Sequence, residues 1–359
     1  MPQEQSEPFK AWSGLVDALA EAGRRMEQSA AGLSEEERTD GFRALARALA
    51  NQLGRLEVDD ARPELAPFNL WRQKFYMDNP DCLYWVAEIA SGGVYRIEGR
   101  AAKAAFMSLN VYAGSGLEAQ TVARLTSDDL ELDDQGCFCV TLGGDPADAP
   151  GQWAAIPQSA NMIWLRQFYD DPSDMDGECA IIRLDPAPAA PIIEAGRFAR
   201  RLARTGASLD QASKVLARGA SHEVEPPNSI REWSEMQGGA VYTEPGIHYQ
   251  RGAWSLKPGE ALVIEGKAVE ARHASVLLYS RFLNSLDYRN RQVSLAGERF
   301  KTEADGSFRI ILAAEDPGQP NWLDTEGRPY GHFVIRWLQP ETTPLLPSVR
   351  VVPLSACGA

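Results

Sequence analysis

Positive charge, histidine and cysteine are all scarce in this sequence of 359 residues. It has 36 lysines and arginines against 50 aspartates and glutamates, so its net charge is −14. Such an acidic chain lacks the basic surface that nucleic acid or an anionic membrane requires. No apolar run approaches the ~20 residues of a membrane-spanning helix, and the first residues lack the basic and apolar regions of an export signal. We therefore expect a cytoplasmic protein that binds neither nucleic acid nor membrane.

The five cysteines form no disulfide or metal-binding pattern. An odd number of cysteines in a long chain without an export signal indicates reduced thiols. Cys137 and Cys139 form a C-x-C pair, but no second pair or nearby histidine completes a zinc set. Their spacing places both sulfurs on one face of a strand, which favours small core residues over metal ligands.

Several cofactor and nucleophile motifs are also absent. The sequence has no G-x-S-x-G elbow, no G-x-x-x-x-G-K-[ST] phosphate loop and no G-x-G-x-x-G after a strand. These absences argue against an α/β-hydrolase, a P-loop enzyme and a nicotinamide dehydrogenase of the usual kind. They predict that any enzymatic activity needs no cofactor. There is also no repeat at the spacing of solenoids or propellers.

Helical periodicity marks the first sixty residues. Apolar side chains recur there at intervals of three and four. Ser34 followed by Glu37 forms a capping box that opens a second helix. We predict a helical hairpin over residues 1–60, and a homodimer contact is expected there first.

The rest of the chain is dominated by strand-like alternation between turn signals. Alternating apolar residues occur over 83–140 and again over 262–337. Residues 191–219 have helical spacing and are interpreted as two helices, one ending near Thr205 and one opening at Ser208. We predict a mainly β fold of antiparallel sandwich or jelly-roll sheets, with the N-terminal hairpin and this helical insertion. The predicted units are residues 1–60, the β-rich residues 61–259 with the insertion, and a C-terminal β-sandwich portion at 260–359.

One block near the C-terminus carries a family resemblance. Asp316-Pro317-Gly318 is followed by the run N-W-L-D-T at residues 321–325. Together with the runs at 286–289 and 304–308, this block resembles the bacterial family known as domain of unknown function 1214. The resemblance spans about residues 70–340, including Asn79-Pro80-Asp81. It implies a mainly β architecture of packed antiparallel sheets, and it brings no established reaction.

The loop at residues 242–251 gathers several chemically active side chains. Glu244 and His248 form a potential acid/base pair, with Tyr242 as a substrate-binding donor and Arg251 as a group that holds an anion. The alternative is a polar loop closed by local hydrogen bonds.

A second set of site residues lies in the C-terminal stretch. We assign catalytic roles to His273, Tyr279 and Asp287, and we assign substrate binding to Tyr288, Arg289 and Trp322. The alternative for these residues is architectural, since Asp and Asn side chains close turns on their own backbone.

The histidines also raise the question of a metal. Glu244, His248 and His273 are of ligand type, but no H-x-H or H-E-x-x-H spacing supports a site. We predict no metal. His222 at a helix exit and His332 at a strand entry are interpreted as structural residues.

Three functions remain open from the sequence. The first is a cofactor-free lyase or hydrolase that acts by acid/base chemistry on a small, partly apolar, hydroxylated or carboxylated metabolite. The second is a non-catalytic sandwich that binds a carbohydrate or lipid-like ligand on its aromatic side chains. The third is an assembly module that uses the hairpin and the sheet edges.

Overall fold

The computed structural model describes residues 5–149, 151–189, 194–220, 226–238 and 240–358. The predicted helix start at Pro191 and the predicted place of His222 lie outside the described residues.

Three helices form in the described part of the chain, and they are α1 at Glu7–Ser29, α2 at Glu35–Leu53 and α3 at Ala195–Gly219. The helical hairpin is confirmed, and the Ser34 hydroxyl accepts the amide of Glu37 at 3.2 Å as the capping box predicts. The helical insertion is also confirmed, but the predicted break into two helices is wrong. Gly206 lies where the break was expected, and a Cβ there would be 3.4 Å from the Ala18 side chain. The glycine therefore lets α1 approach α3 closely without interrupting the helix.

The first half of the chain forms two packed sheets. Sheet A has the strand order β1-β2-β8-β4-β5, and sheet B has the order β7-β6-β3-β9. All neighbours are antiparallel except β6 and β7, which are parallel. The strands are β1 Ala66–Phe68, β2 Cys82–Glu88, β3 Tyr95–Arg100, β4 Phe106–Ala113, β5 Gln120–Thr126, β6 Cys137–Leu142, β7 Gln152–Ala154, β8 Ala160–Phe168 and β9 Glu178–Arg183.

The second half forms another pair of sheets. Sheet C has the order β10-β11-β17-β13-β14, and sheet D has the order β16-β15-β12-β18. In these two sheets the described pair β15 and β16 is parallel, and the other described neighbours are antiparallel. The strands are β10 Ser229–Glu232, β11 Ile247–Ser255, β12 Glu260–Lys267, β13 His273–Ser280, β14 Ser294–Ala296, β15 Ser307–Ala313, β16 Trp322–Asp324, β17 Tyr330–Leu338 and β18 Ser348–Pro353. Since β11 pairs with β17, sheet C contains strands from both sides of residue 259. The predicted division into domains stays a prediction.

The two halves have the same topology. Adding nine to each strand number of sheets A and B reproduces the orders of sheets C and D, including the single parallel pair in each half. The registers also agree, because Arg166 lies opposite Tyr84 and Ser108. Arg336 lies in the same way opposite Tyr249 and Ser275. The chain is therefore a duplicated nine-stranded sandwich, and the mainly β antiparallel prediction is confirmed.

Each sandwich has its own apolar core, and sheets A and C pack face to face between them. The contact between these two sheets buries apolar side chains of both halves, among them Phe106, Phe168, Leu277 and Val334. Helices α1, α2 and α3 pack on one another around Met26, Leu209 and Leu216. Burial of these surfaces stabilises the fold by roughly 25 cal/mol for each Å² of apolar area. None of the helices in the described ranges has the length and apolarity that crossing a bilayer demands.

Candidate active site

A cavity of about 290 Å³ opens where α2 meets the loops of both sandwiches. We call it the cleft. It is strongly polar, with four arginines, three carboxylates and one indole in its walls. Its lining consists of Asp40, Arg43, Arg47, Trp71, Ser280, Ser285, Leu286, Asp287, Arg291, Glu326 and Arg328.

Ser285 lies in the wall of the cleft and contacts a buried lysine. The Nζ of Lys74 donates to the Oγ of Ser285 at 2.6 Å and to its carbonyl oxygen at 2.8 Å. The Asp78 carboxylate accepts the Ser285 hydroxyl at 2.6 Å and its amide at 2.9 Å. The lysine Nζ is 3.7 Å from this carboxylate. Two charged groups, one of them 211 residues away in sequence, therefore converge on the Ser285 hydroxyl.

Lys74 is fully buried between aromatic rings. Its Nζ is 4.3 Å from the centre of the Trp71 ring and 4.7 Å from that of Tyr288. The two rings meet edge to face at 5.1 Å. Burial lowers the pKa of Lys74 from 10.5 to about 8, although the nearby Asp78 carboxylate opposes the change. Lys74 can therefore lose its proton near neutral pH.

Two arginines also lie close to the Trp71 ring. The guanidinium of Arg47 lies 4.8 Å from the indole centre, and that of Arg289 lies 5.6 Å away. Burial, and next the charge of Arg43, lower the pKa of Arg47. Arg328, by contrast, is neutralised by Asp40 at 3.1 Å and by Glu326 at 3.0 Å. On α2, Asp40 also lies 3.7 Å from Arg43, so the positive charge of the cleft is concentrated around the Trp71 ring, at Arg47 and Arg289.

The predicted site residues 287–289 lie at this cleft. Asp287 is in its lining, but its carboxylate accepts the amide of Arg289 at 3.2 Å and the side chain of Asn290 at 2.8 Å. Asp287 therefore closes its own turn, which positions the Tyr288 ring against Lys74. Tyr288 and Arg289 contribute to the site through their contacts with Lys74 and Trp71.

Glu244 lies elsewhere, buried between sheets A and C. Its Oε2 accepts Ser108 Oγ at 2.5 Å and Asn110 Nδ2 at 2.8 Å. Its Oε1 is 2.7 Å from Arg124, and Arg166 is 3.8 Å from its Oε2. We call the buried polar side chains between sheets A and C the polar seam. Here Glu244 neutralises arginines instead of facing an open cavity.

Tyr242 belongs to the same part of the polar seam. Its ring stacks on Trp164 at 5.1 Å with an interplanar angle of 9°, and its carbonyl oxygen accepts Arg166. Both contacts hold the loop before β11 against sheet A. The predicted substrate-binding role of Tyr242 finds no cavity among these contacts.

His273 and Tyr279 lie in the other part of the polar seam. His273 Nδ1 is 2.8 Å from the carboxylate of Asp170. The Tyr279 hydroxyl accepts Arg336 Nη2 at 2.7 Å and donates to the Asp78 carbonyl at 2.9 Å. Because Asp78 also contacts Ser285, hydrogen bonds connect this part of the seam to the cleft.

The remaining predicted site residues are dispersed. His248 Nε2 is 2.5 Å from Glu232, and the Arg251 guanidinium lies 4.8 Å from the Trp233 ring. Trp322 donates from Nε1 to the Ala313 carbonyl at 3.1 Å. Trp153 makes the equivalent bond to Gly143 at 2.9 Å in the first sandwich, so this contact is part of the duplicated architecture.

The predicted metal-type residues do not converge on one another. Glu244 contacts arginines, His248 contacts Glu232, and His273 contacts Asp170. In the described ranges, no group of three or more His, Cys, Asp or Glu is placed to hold a metal ion. All five cysteines are free.

Sequence reasoning missed Lys74, Asp78, Ser285 and Arg47. Lys74 follows Trp71 within an aromatic cluster, and Ser285 directly precedes the Leu286-Asp287-Tyr288 run. The signal in the sequence was the position of Lys74 among aromatic residues, because aromatic neighbours favour a buried amine. No local pattern indicates which serine it meets.

Comparison with known families supports the resemblance at the C-terminal side. Residues 266–342 match a family described as protein of unknown function (DUF1214). This match confirms the resemblance that rests on the Asp316-Pro317-Gly318 block. Its extension back to residue 70 stays a prediction. No curated protein matches the chain.

Two solved structures share the fold over nearly the whole chain. An uncharacterized protein from Burkholderia cenocepacia is 28% identical with a TM-score of 0.87, covering 96% of this chain and 97% of that one. The VPA0106 protein from Vibrio parahaemolyticus is 12% identical with a TM-score of 0.52, covering 92% of this chain and 100% of that one. The second likeness concerns the fold alone. Neither description names a reaction or a ligand.

Proposed function

We propose that this protein is a cofactor-free hydrolase that cleaves a small anionic ester or amide in the cleft, with Ser285 as the nucleophile. The observation that carries the proposal is the 2.6 Å contact between Ser285 Oγ and Lys74 Nζ in the wall of a 290 Å³ cavity. Serine with lysine as its base is an established variant of the serine–histidine pair. Of the lyase and hydrolase alternatives, this nucleophile supports the hydrolase.

The proposed reaction has two steps. Neutral Lys74 takes the proton from Ser285 as Oγ attacks the carbonyl carbon, and it returns that proton to the leaving group as the acyl–serine forms. Water then attacks the acyl–serine, Lys74 takes a proton from the water and passes it to Ser285 Oγ, and the acid is released. Asp78 holds Ser285 through its amide, and the hydroxyl proton, which is donated to Asp78 in this arrangement, turns to neutral Lys74 for the attack. The arginines of the cleft supply cationic donors for the developing oxyanion.

The size and charge of the cleft support a small anionic substrate. Its volume of about 290 Å³ lies at the small end of ligand sites. Arg43 and Arg47 face it from α2, and guanidinium groups bind carboxylate and phosphate well. The Trp71 indole adds an apolar surface in the same wall. The free cysteines support a cytoplasmic location.

Acylation of the serine provides the test. The purified protein is incubated with p-nitrophenyl acetate and with mono-p-nitrophenyl succinate, and both p-nitrophenol release and intact mass are followed. We expect a stable or transient acyl adduct that maps to Ser285 by peptide mass spectrometry. We also expect faster turnover of the anionic ester.

Ser280 provides the matched control. It lines the same cavity, but its Oγ accepts the amide of Phe282 at 3.3 Å. Ser285→Ala is expected to lose turnover and labelling, and Ser280→Ala to keep both. Labelling at another residue, or full activity of Ser285→Ala, contradicts the proposal.

A further inference from the structure

The duplication provides an internal comparison within the polar seam. Arg166 and Arg336 occupy equivalent register positions, and each guanidinium lies 5.9 Å from the ring of the tyrosine opposite. Ser108 and Ser275 are the neighbours of these arginines on β4 and β13. Arg166 and Arg336 therefore have the same strand pairing, and we compare their surroundings by the side chains.

The loops that enter β2 and β11 are equivalent as well. Met77 and Tyr242 have left-handed φ values of 55° and 63°, and the runs Asp78-Asn79-Pro80 and Thr243-Glu244-Pro245 follow them. Tyr279 donates to the carbonyl of Asp78 at 2.9 Å, and Tyr112 donates to that of Thr243 at 3.5 Å. By this correspondence, Asn79 takes the place of Glu244.

Because asparagine replaces glutamate here, the position around Arg336 in the second sandwich lacks the carboxylate that Glu244 supplies around Arg166 in the first sandwich. At the first position, Glu244 Oε2 accepts the Ser108 hydroxyl at 2.5 Å and lies 3.8 Å from Arg166. At the second, Asn79 turns away and its Oδ1 accepts the amide of Asp81 at 3.0 Å. Ser275 Oγ and Arg336 Nη1 are buried and have no hydrogen-bond partner among the described residues.

Two further unpaired atoms lie in the same place. Asp81 Oδ2 and His273 Nε2 are buried and without a hydrogen-bond partner within the described ranges. Asp81 and His273 influence each other electrostatically, and Arg336 acts on Asp81 too. Each buried polar atom left unpaired costs about 1–3 kcal/mol, so a polar ligand that paired with these four atoms would stabilise the protein.

We propose that Arg336 and Ser275 bind the carboxylate group of a small exogenous acid, at the position that Glu244 fills in the other sandwich. The ligand carboxylate accepts from Arg336 Nη1 and Ser275 Oγ. Asp81 Oδ2 is its third partner, and it donates to the ligand when the Asp81 carboxyl is protonated. Asp170, which contacts His273, is 46% exposed.

Formate is the probe, because it is a carboxylate with no further substituent. Thermal unfolding is measured in sodium formate and in sodium chloride of equal ionic strength. We expect formate to raise the midpoint of the wild-type protein by about 2 °C or more. Ser275→Ala is expected to lose most of this shift. Ser108→Ala, the equivalent change in the other sandwich, is expected to keep it.

Asn79→Glu supplies the missing carboxylate from within the chain. This variant is expected to unfold at a higher temperature than wild type in chloride and to be insensitive to formate. Conversely, Glu244→Asn is expected to lower the midpoint and to show a larger formate shift. A wild-type protein that does not respond to formate overturns the proposal. A shift that Ser275→Ala and Asn79→Glu both retain overturns it as well.

Discussion

The guanidinium of Arg166 lies 3.8 Å from the carboxylate of Glu244, a residue on the loop that enters the other sandwich. Both side chains are almost completely buried. The same carboxylate is 2.7 Å from Arg124. The first sandwich therefore contains buried positive charge that a carboxylate from the second half of the chain neutralises.

Glu244→Gln is expected to destabilise the protein by about 3 kcal/mol, because removing one partner leaves a buried arginine charge uncompensated. Urea unfolding measures the change. Glu98→Gln is the control, because its pair with Arg96 is partly exposed at 3.2 Å and exposed pairs contribute at most about 1 kcal/mol. Equal losses for the two variants would show that Glu244 is not needed to neutralise Arg166.

The rate of ester hydrolysis is expected to depend on the protonation of Lys74. The amine acts as a base only when neutral, so kcat/KM should rise with pH to a plateau above an inflection at about 8. Lys74→Met is expected to lower kcat by about a hundredfold or more and to remove this inflection. A profile that is flat between about pH 6 and 9 would exclude Lys74 as the base.

His332 is expected to contribute to acid sensitivity. Burial lowers its pKa from 6.5 to about 3, and its Nε2 is 3.0 Å from the Gly219 carbonyl at the end of α3. Because the unfolded chain binds the proton more readily, the stabilisation is complete above about pH 6.5 and is lost as pH falls toward about 3, by on the order of 4 kcal/mol. His332→Gln should flatten the dependence of unfolding free energy on pH in this range, as measured by urea titrations at several pH values. An unchanged slope would rule out His332 as its source.

Two glycine substitutions are expected to act in opposite directions. A Cβ at Gly99 would be 2.3 Å from the Glu178 carbonyl oxygen on β9, so Gly99→Ala should destabilise by about 2 kcal/mol. Gly23 lies on α1 with nothing within 4 Å of its Cβ position, so Gly23→Ala should stabilise by up to about 1 kcal/mol. Differential scanning calorimetry of both variants checks the sign of each change, and a stable Gly99→Ala protein would contradict the close contact with β9.

Local patterns predicted local structure well. The alternation of Phe308, Ile310 and Leu312 predicted a strand, and β15 at Ser307–Ala313 confirms it. The capping box formed by Ser34 and Glu37 predicted the start of α2. Such features depend on neighbours within a few residues, and therefore the sequence displays them directly. The break predicted near Thr205 is wrong: α3 continues through Gly206, with Leu202 and Leu209 buried on either side of it.

The candidate site depends on contacts that no local pattern encodes. Lys74 and Ser285 are 211 residues apart, and a lone serine before a turn has no distinguishing spacing. The duplication left scattered traces in the sequence, such as the Ile-Glu-Gly run at residues 97–99 and again at 264–266. Sheet pairing preserves register while side chains change, so the repeat is visible in the strand orders and hardly in the residues.

The reach of Glu244 into the first sandwich has a consequence for synthesis on the ribosome. The strands of sheets A and B end at Arg183, and sixty further residues must emerge before the carboxylate that neutralises Arg166 is available. During that interval the face of sheet A that later packs on sheet C has no partner, and Arg166 on this face is open to water. Its final packing must therefore await translation of sheet C, whose last strand β17 ends at Leu338.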